Sequence, residues 1–346
     1  MKGVVMLLIL VSVLAVPVSA MDFTPPSAPP DVQDLLPAET ESFAQGLWTV
    51  IKSAIAKLAP DLTASAGSCL ALTAVVLLAS VLNAMPGSSK KVIRFVTTLA
   101  LSAILLGQAN AMINLCARTV REISDYGKLL LPVMTAALAA QGGATGATAL
   151  YAGTALFDTV LSSIITNLLV PMVYMFLALA AANSATGEDL LKKLRDFIKW
   201  LMTWSLKMVL YIFTGYLGIT GVITGTADAA AVKAAKLPIS GVVPVVGGIL
   251  SDASETVILS AGVMKNAVGM YGLLAVAAIW ITPFLQIGAQ FLLLKLTAVL
   301  CAVFGVKEAS ELIEDFSSAM GLLLGMTGTV SLLMLISTIC FMKGMG

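Results

Sequence analysis

Residues 266–305 form a run of about forty mostly apolar residues, interrupted near its middle by Pro283, Gln286, Gly288 and Gln290. As a single helix the run would measure about 60 Å, roughly twice the hydrocarbon thickness of a bilayer. Its proline and polar centre therefore predict a tight hairpin between two membrane spans, 266–283 and 288–305. A Gly/Pro-rich stretch precedes it, holding Pro238, Pro244, Gly247 and Gly248, and then the acidic step Glu255-Thr256-Val257. Irregular backbone at membrane depth is tolerated only where protein or water covers it. Such backbone beside apolar spans predicts a polytopic membrane protein with protein-lined cavities.

Composition agrees and narrows the chemistry. Hydrophobic residues make up 59% of the 346 and charged residues 11%, against about a quarter charged in soluble domains. The expected class is an all-α polytopic membrane protein. A net charge of +1, with no basic patch interleaved with aromatics, excludes nucleic acid as a partner. The chain has no histidine, which removes His-based acid–base catalysis, Ser-His-Asp and Cys-His nucleophiles, and His-ligated metals. Cys69, Cys116, Cys301 and Cys340 are scattered through apolar segments and read as small buried hydrophobes. There is no phosphate-binding glycine motif, no convergent acidic pair and no metal-ligand cluster. The expectation is a protein that is not an enzyme and needs no cofactor.

Taken in order, residues 1–20 have the layout of a signal peptide, with an uncleaved first span as the other reading. Either places the Pro-rich linker 21–40 outside the cytoplasm, as an extended segment. Residues 41–59 carry apolar side chains at helical spacing (Phe43, Leu47, Ile51, Ala54, Ile55, Leu58). They predict an amphipathic helix, lying on the outer membrane face or docked on the protein. The multispan domain, 60–346, holds predicted spans at about 68–85, 95–115, 160–182, 199–224, 266–283, 288–305 and 320–342. Residues 129–153 begin apolar but contain Pro132, Gly142 and Gly143, and read as a re-entrant segment. Seven spans put the N-terminus outside and the C-terminus inside, with Lys90, Lys91, Arg94, Lys192, Lys193, Arg195, Lys199 and Lys343 on the cytoplasmic side.

A parallel internal repeat is expected between 128–224 and 236–305. Asp158-Thr159-Val160 aligns in type with Glu255-Thr256-Val257, Tyr174 with Tyr271, and Leu206-Lys207 with Leu294-Lys295. The charged members of this pattern, Lys207, Lys295, Asp158 and Glu255, are the candidate conduit or subunit-contact residues. For the lysines the competing reading is snorkelling to the nearer interface. Asp158 and Glu255 also fit wet span boundaries. Pro132, Gly142, Gly143, Pro238, Pro244, Gly247, Gly248 and Pro283 are the candidates for broken or re-entrant backbone. Paired spans with broken segments also fit a self-contained secondary transporter of a small solute. The lack of acidic coupling residues at mid-span weighs against that alternative.

The stretch from Leu237 through Pro238, Pro244, Gly247, Asp252 and Glu255 to Val257, then Lys265-Asn266-Ala-Val-Gly269, resembles the stage III sporulation protein AE family of endospore-forming bacteria. The resemblance extends over nearly the whole chain. It implies a multi-pass protein of the mother-cell membrane facing the forespore, in a channel or secretion-like complex needed for spore development. The implied partners are the other stage III A operon proteins, including a cytoplasmic ATPase, and the forespore protein Q. A YidC-type insertase is implied for assembly. No active-site residue comes with the resemblance.

Overall fold

The computed structural model describes residues 26–37, 42–87, 89–140, 144–219 and 267–344. Every element among them is helical: α1 (Pro30–Gln33), α2 (Phe43–Ala84), α3 (Lys90–Ala140), α4 (Ala144–Ile164), a π-helical turn (Ile165–Leu169), α5 (Val170–Thr186), α6 (Asp189–Ile219), α7 (Ala267–Val303) and α8 (Lys307–Gly344). Five stretches are long and apolar enough to cross a membrane: Leu62–Ala84, Lys90–Ala139, Ala147–Thr186, Gly269–Val303 and Lys307–Met342. The all-α membrane class stands; among the described residues these five stretches meet the length and hydropathy of a span, and α6, richer in charge, runs alongside them from one pole to the other.

The long helices run between two poles. At one pole lie the turns after α2, α5 and α7. There Ser80 of α2 donates to the Phe304 carbonyl (2.7 Å), which would otherwise be an orphan of the α7 end. Arg94, in the first turns of α3, donates to the Ala185 and Thr186 carbonyls at the end of α5 (3.2 and 2.8 Å). Its other nitrogen lies 4.0 Å from Glu308 at the start of α8. Lys90, Lys91, Lys192 and Lys193 sit on the same turns, so this is the basic pole. At the far pole, Tyr216 near the end of α6 donates to the Ala149 carbonyl near the start of α4 (2.7 Å).

α8 is the core of the bundle. In its most apolar stretch 94% of residues are buried, against 22% for α2. The sequence explains this, because residues 319–342 are apolar or small on every side, as only an enclosed helix can be. Three of the hydroxyls it buries are satisfied within the helix: Thr327, Thr329 and Thr338 donate to the carbonyls four residues back (3.2, 2.6 and 2.8 Å).

Pro132 and Pro283, expected to break the chain, lie inside continuous helices, and so does Pro60 at the end of the expected amphipathic segment. Pro60 is internal to α2, so the amphipathic segment 41–59 and the first span are one helix. Pro132 is internal to α3, which joins the second span, the polar segment 116–128 and the first part of the expected re-entrant stretch. Pro283 is internal to α7, so the expected hairpin is one helix of 37 residues. A proline removes a single ladder bond, and packing of the neighbouring turns is enough to carry the helix past it. Pro171 acts differently. It comes after a π-helical turn in which the Val170 amide donates to the Ile165 carbonyl, so the ladder is widened just before the residue that cannot donate. The basic amphipathic segment around residues 190–198 is likewise continuous with the next span, as α6.

Merging the hairpin into one span reverses the direction of α8. This helix starts beside Arg94 and ends at the opposite pole, so Gly344 and the basic turns are not on one side. The seven-span layout expected the two on one side. Nor are the proposed repeat halves laid out alike. Tyr174 and Lys207 lie on two helices, α5 and α6, whereas Tyr271 and Lys295 share α7. The linker expectation also changes for residues 26–37, where Ala28, Val32 and Leu35 are buried against the bundle and α1 forms. The signal-peptide segment and the expected loop 225–265 lie outside the described residues.

Candidate functional site

The charged residues marked by the sequence are not brought to one place. Lys295 on α7 makes an ion pair with Glu314 on α8, near the basic pole. Lys207 is exposed on α6, with no ion pair among the described residues. Asp158 on α4 is not at a wet boundary. It is 3% exposed and accepts from Ser124 of α3 (2.6 Å), and its other oxygen has no partner among the described residues. Pro132 and Pro283 sit inside helices. Gly142, Gly143, Pro238, Pro244, Gly247, Gly248 and Glu255 lie outside the described residues.

Around the core helix the structure builds two polar constellations instead. The first is near the basic pole. Arg195 of α6 donates to Asp315 of α8 (2.5 Å) and to the adjacent Asp196 (2.9 and 3.0 Å). Its side chain is 10% exposed and that of Asp315 13%. Burial alone would pull the Arg195 guanidinium down, but Asp315 beside it, helped by Asp196, more than offsets this and raises it. Lys199 donates to Ser318 one turn further along (3.1 Å). Ser184 of α5 joins in, bonded to Thr98 of α3 (3.1 Å) and donating to the Glu308 carbonyl (3.1 Å). These contacts lock α3, α5, α6 and α8 in register.

The second constellation lies at mid-height. Gln290 of α7 donates to Gln108 of α3 (2.8 Å), and Tyr174 of α5 donates to Asn110 of α3 (2.7 Å). Amide bonds between helices are the expected use of such residues in spans. Gln108, Gln286 and Gln290 line a cavity of about 260 Å³ between α2, α3 and α7, with Ser65 and Ser68 opposite. Nothing in either constellation pairs a nucleophile with a base. No group of three acidic or cysteine residues among the described residues is placed to hold a metal.

A sequence profile for stage III sporulation protein AE matches residues 33–346. The chain belongs to this family. A Bacillus subtilis (strain 168) protein described as stage III sporulation protein AE is 22% identical over 247 residues, 71% of this chain. The match spans 62% of that relative's own length. No solved structure matches. Family membership ties the chain to sporulation, and its long apolar helices make it a membrane protein.

For this member of the stage III sporulation protein AE family, the Arg195–Asp315 pair is the polar feature that sequence reading misses. Read locally, Arg195 is a loop cation and Asp315 part of an exposed acidic segment. One signal is present, because Leu191, Arg195, Ile198 and Met202 keep the spacing of one helix face. A cation on a core-facing stripe calls for a buried partner. The partner lies 120 residues away, and local pattern carries no trace of it.

Proposed function

We propose that this chain is a structural subunit, without enzymatic activity of its own, of a channel or secretion-like complex between mother cell and forespore. The observation that carries the reading is the buried α8. The axis of the described bundle is filled by a helix rather than by water, so a transported solute has no path along it. A conduit would be formed between this chain and other subunits. Unlike the enclosed α8, α2 and α3 present large apolar side chains outward, among them Leu70, Leu77 and Leu78 on α2 and Phe95, Val96 and Leu99 on α3. That surface serves lipid and neighbouring subunits alike.

The proposed partners are other stage III A operon proteins, including the cytoplasmic ATPase, and the forespore protein Q, with a YidC-type insertase acting in assembly. The basic pole faces the mother-cell cytoplasm, as the charge rule requires. α2 begins, and α8 ends, in the space facing the forespore. Photo-crosslinking residues at Leu77 and Phe95 in sporulating cells test the assignment. Adducts with other stage III A proteins are expected. Adducts with lipid alone, unchanged by deletion of those proteins, would overturn it.

A further inference from the structure

At the basic pole, where the α2–α3 turn meets the α7–α8 turn, lies a cavity of about 300 Å³. Its lining includes Lys90, Lys91, Arg94, Asn83 and Thr97, with Glu308 as the acidic member. Glu308 lies 4.0 Å from Arg94, and Arg94 also caps α5. Lys90 and Lys91 are exposed and make no ion pair among the described residues. The cavity therefore keeps two uncompensated ammonium groups beside the hydroxyl of Thr97 and the amide of Asn83, all of them able to donate to oxygen. Nearby residues are exposed and apolar: Val92, Phe95 and Val96 on α3, Val81 and Leu82 on α2, and Met85 just after it.

We propose that this cavity binds the phosphate-bearing headgroup of an anionic phospholipid, whose acyl chains lie along the exposed faces of α2 and α3. The cations select a phosphate. The apolar border selects a lipid over a free anion, because only an amphiphile uses both surfaces at once. Lysines at a membrane surface interact favourably with anionic headgroups, and such an interaction weakens with salt. The occupied site would tie the α2–α3 turn to the α7–α8 turn through the lipid.

The test uses the full chain, purified in detergent and reconstituted in nanodiscs of phosphatidylcholine with graded fractions of phosphatidylglycerol. Retained lipid is counted by native mass spectrometry. The wild-type chain is expected to retain phosphatidylglycerol over phosphatidylcholine, and K90Q/K91Q to lower that preference about tenfold. N83D, which adds a carboxylate to the cavity and leaves both lysines in place, is expected to act in the same direction. K192Q/K193Q removes two exposed cations from the same pole without touching the cavity lining and is expected to change little. Equal retention by wild type and K90Q/K91Q would overturn the proposal. Equal loss in K192Q/K193Q would overturn it too, by showing a diffuse charged surface. Displacement of the lipid from the wild-type chain by inorganic phosphate would make the site one for a free anion, and the lipid assignment would fall.

Discussion

Arg195 is held on a core-facing stripe of α6, where its guanidinium meets Asp315 with both side chains nearly enclosed. A buried ion pair adds little over a well-packed apolar pair, but a lone buried charge is costly. Removing one member should therefore hurt more than removing both. D315A or R195A is expected to destabilise the protein by roughly 3–5 kcal/mol. R195M/D315L should recover most of that loss, and both effects can be read as melting midpoints of the detergent-solubilised chain. A double variant that lost the sum of the two single losses would show that the pair is not coupled. A smaller effect belongs to Gly187, which ends α5 at φ 76° with its amide bonded to the Asn183 carbonyl (2.7 Å). G187A places a Cβ in the left-handed region and is expected to cost about 1–2 kcal/mol, visible as a lower midpoint with an unchanged elution volume.

The membrane class and most helical segments are legible in the chain, because apolar run length is a local property. What joins one segment to the next is not. Pro60, Pro132 and Pro283 each sit where a local reading ends a helix. Whether a proline ends or only bends a helix depends on what packs around it, and that is decided by distant residues. Around Pro283, Gln290 is held by Gln108 and Ser317 of α8 donates to the Phe291 carbonyl (3.0 Å), contacts no window on α7 reveals. Asp158 shows the same limit, since it reads as a wet boundary until Ser124 closes over it. The continuity of α7 has a direct check. Spin labels at Tyr271 and Val303, in a chain whose native cysteines have been replaced, should lie about 48 Å apart at 1.5 Å of rise per residue. A hairpin at Pro283 would bring the labels to within about 20 Å of each other, a difference that pulsed electron resonance resolves. The short distance would restore the two-span reading and the inside C-terminus.

At the scale of the whole molecule, the position of α8 decides what the chain does alone. Ion-conducting proteins keep a hydrated path lined by backbone carbonyls or polar side chains. Here the axis holds α8, with Phe316, Leu323, Met326, Val330, Leu333 and Phe341 buried at successive levels. The polar constellations flank that helix and tie it to its neighbours, and the cavity beside Gln108 and Gln290 is a pocket of about 260 Å³. The chain reconstituted alone in vesicles should therefore release trapped ions and small dyes no faster than protein-free vesicles, at any protein density. A cysteine at Leu333 should resist water-soluble maleimides in the same vesicles, while one at Lys207, exposed on α6, should label. If release rose with protein density and Leu333→Cys labelled alongside it, the bundle would open around α8, and the pore would belong to this subunit. With both quiet, the proposed channel role would require surfaces that this chain shares with others, and the outward apolar faces of α2 and α3 are where those neighbours would be found.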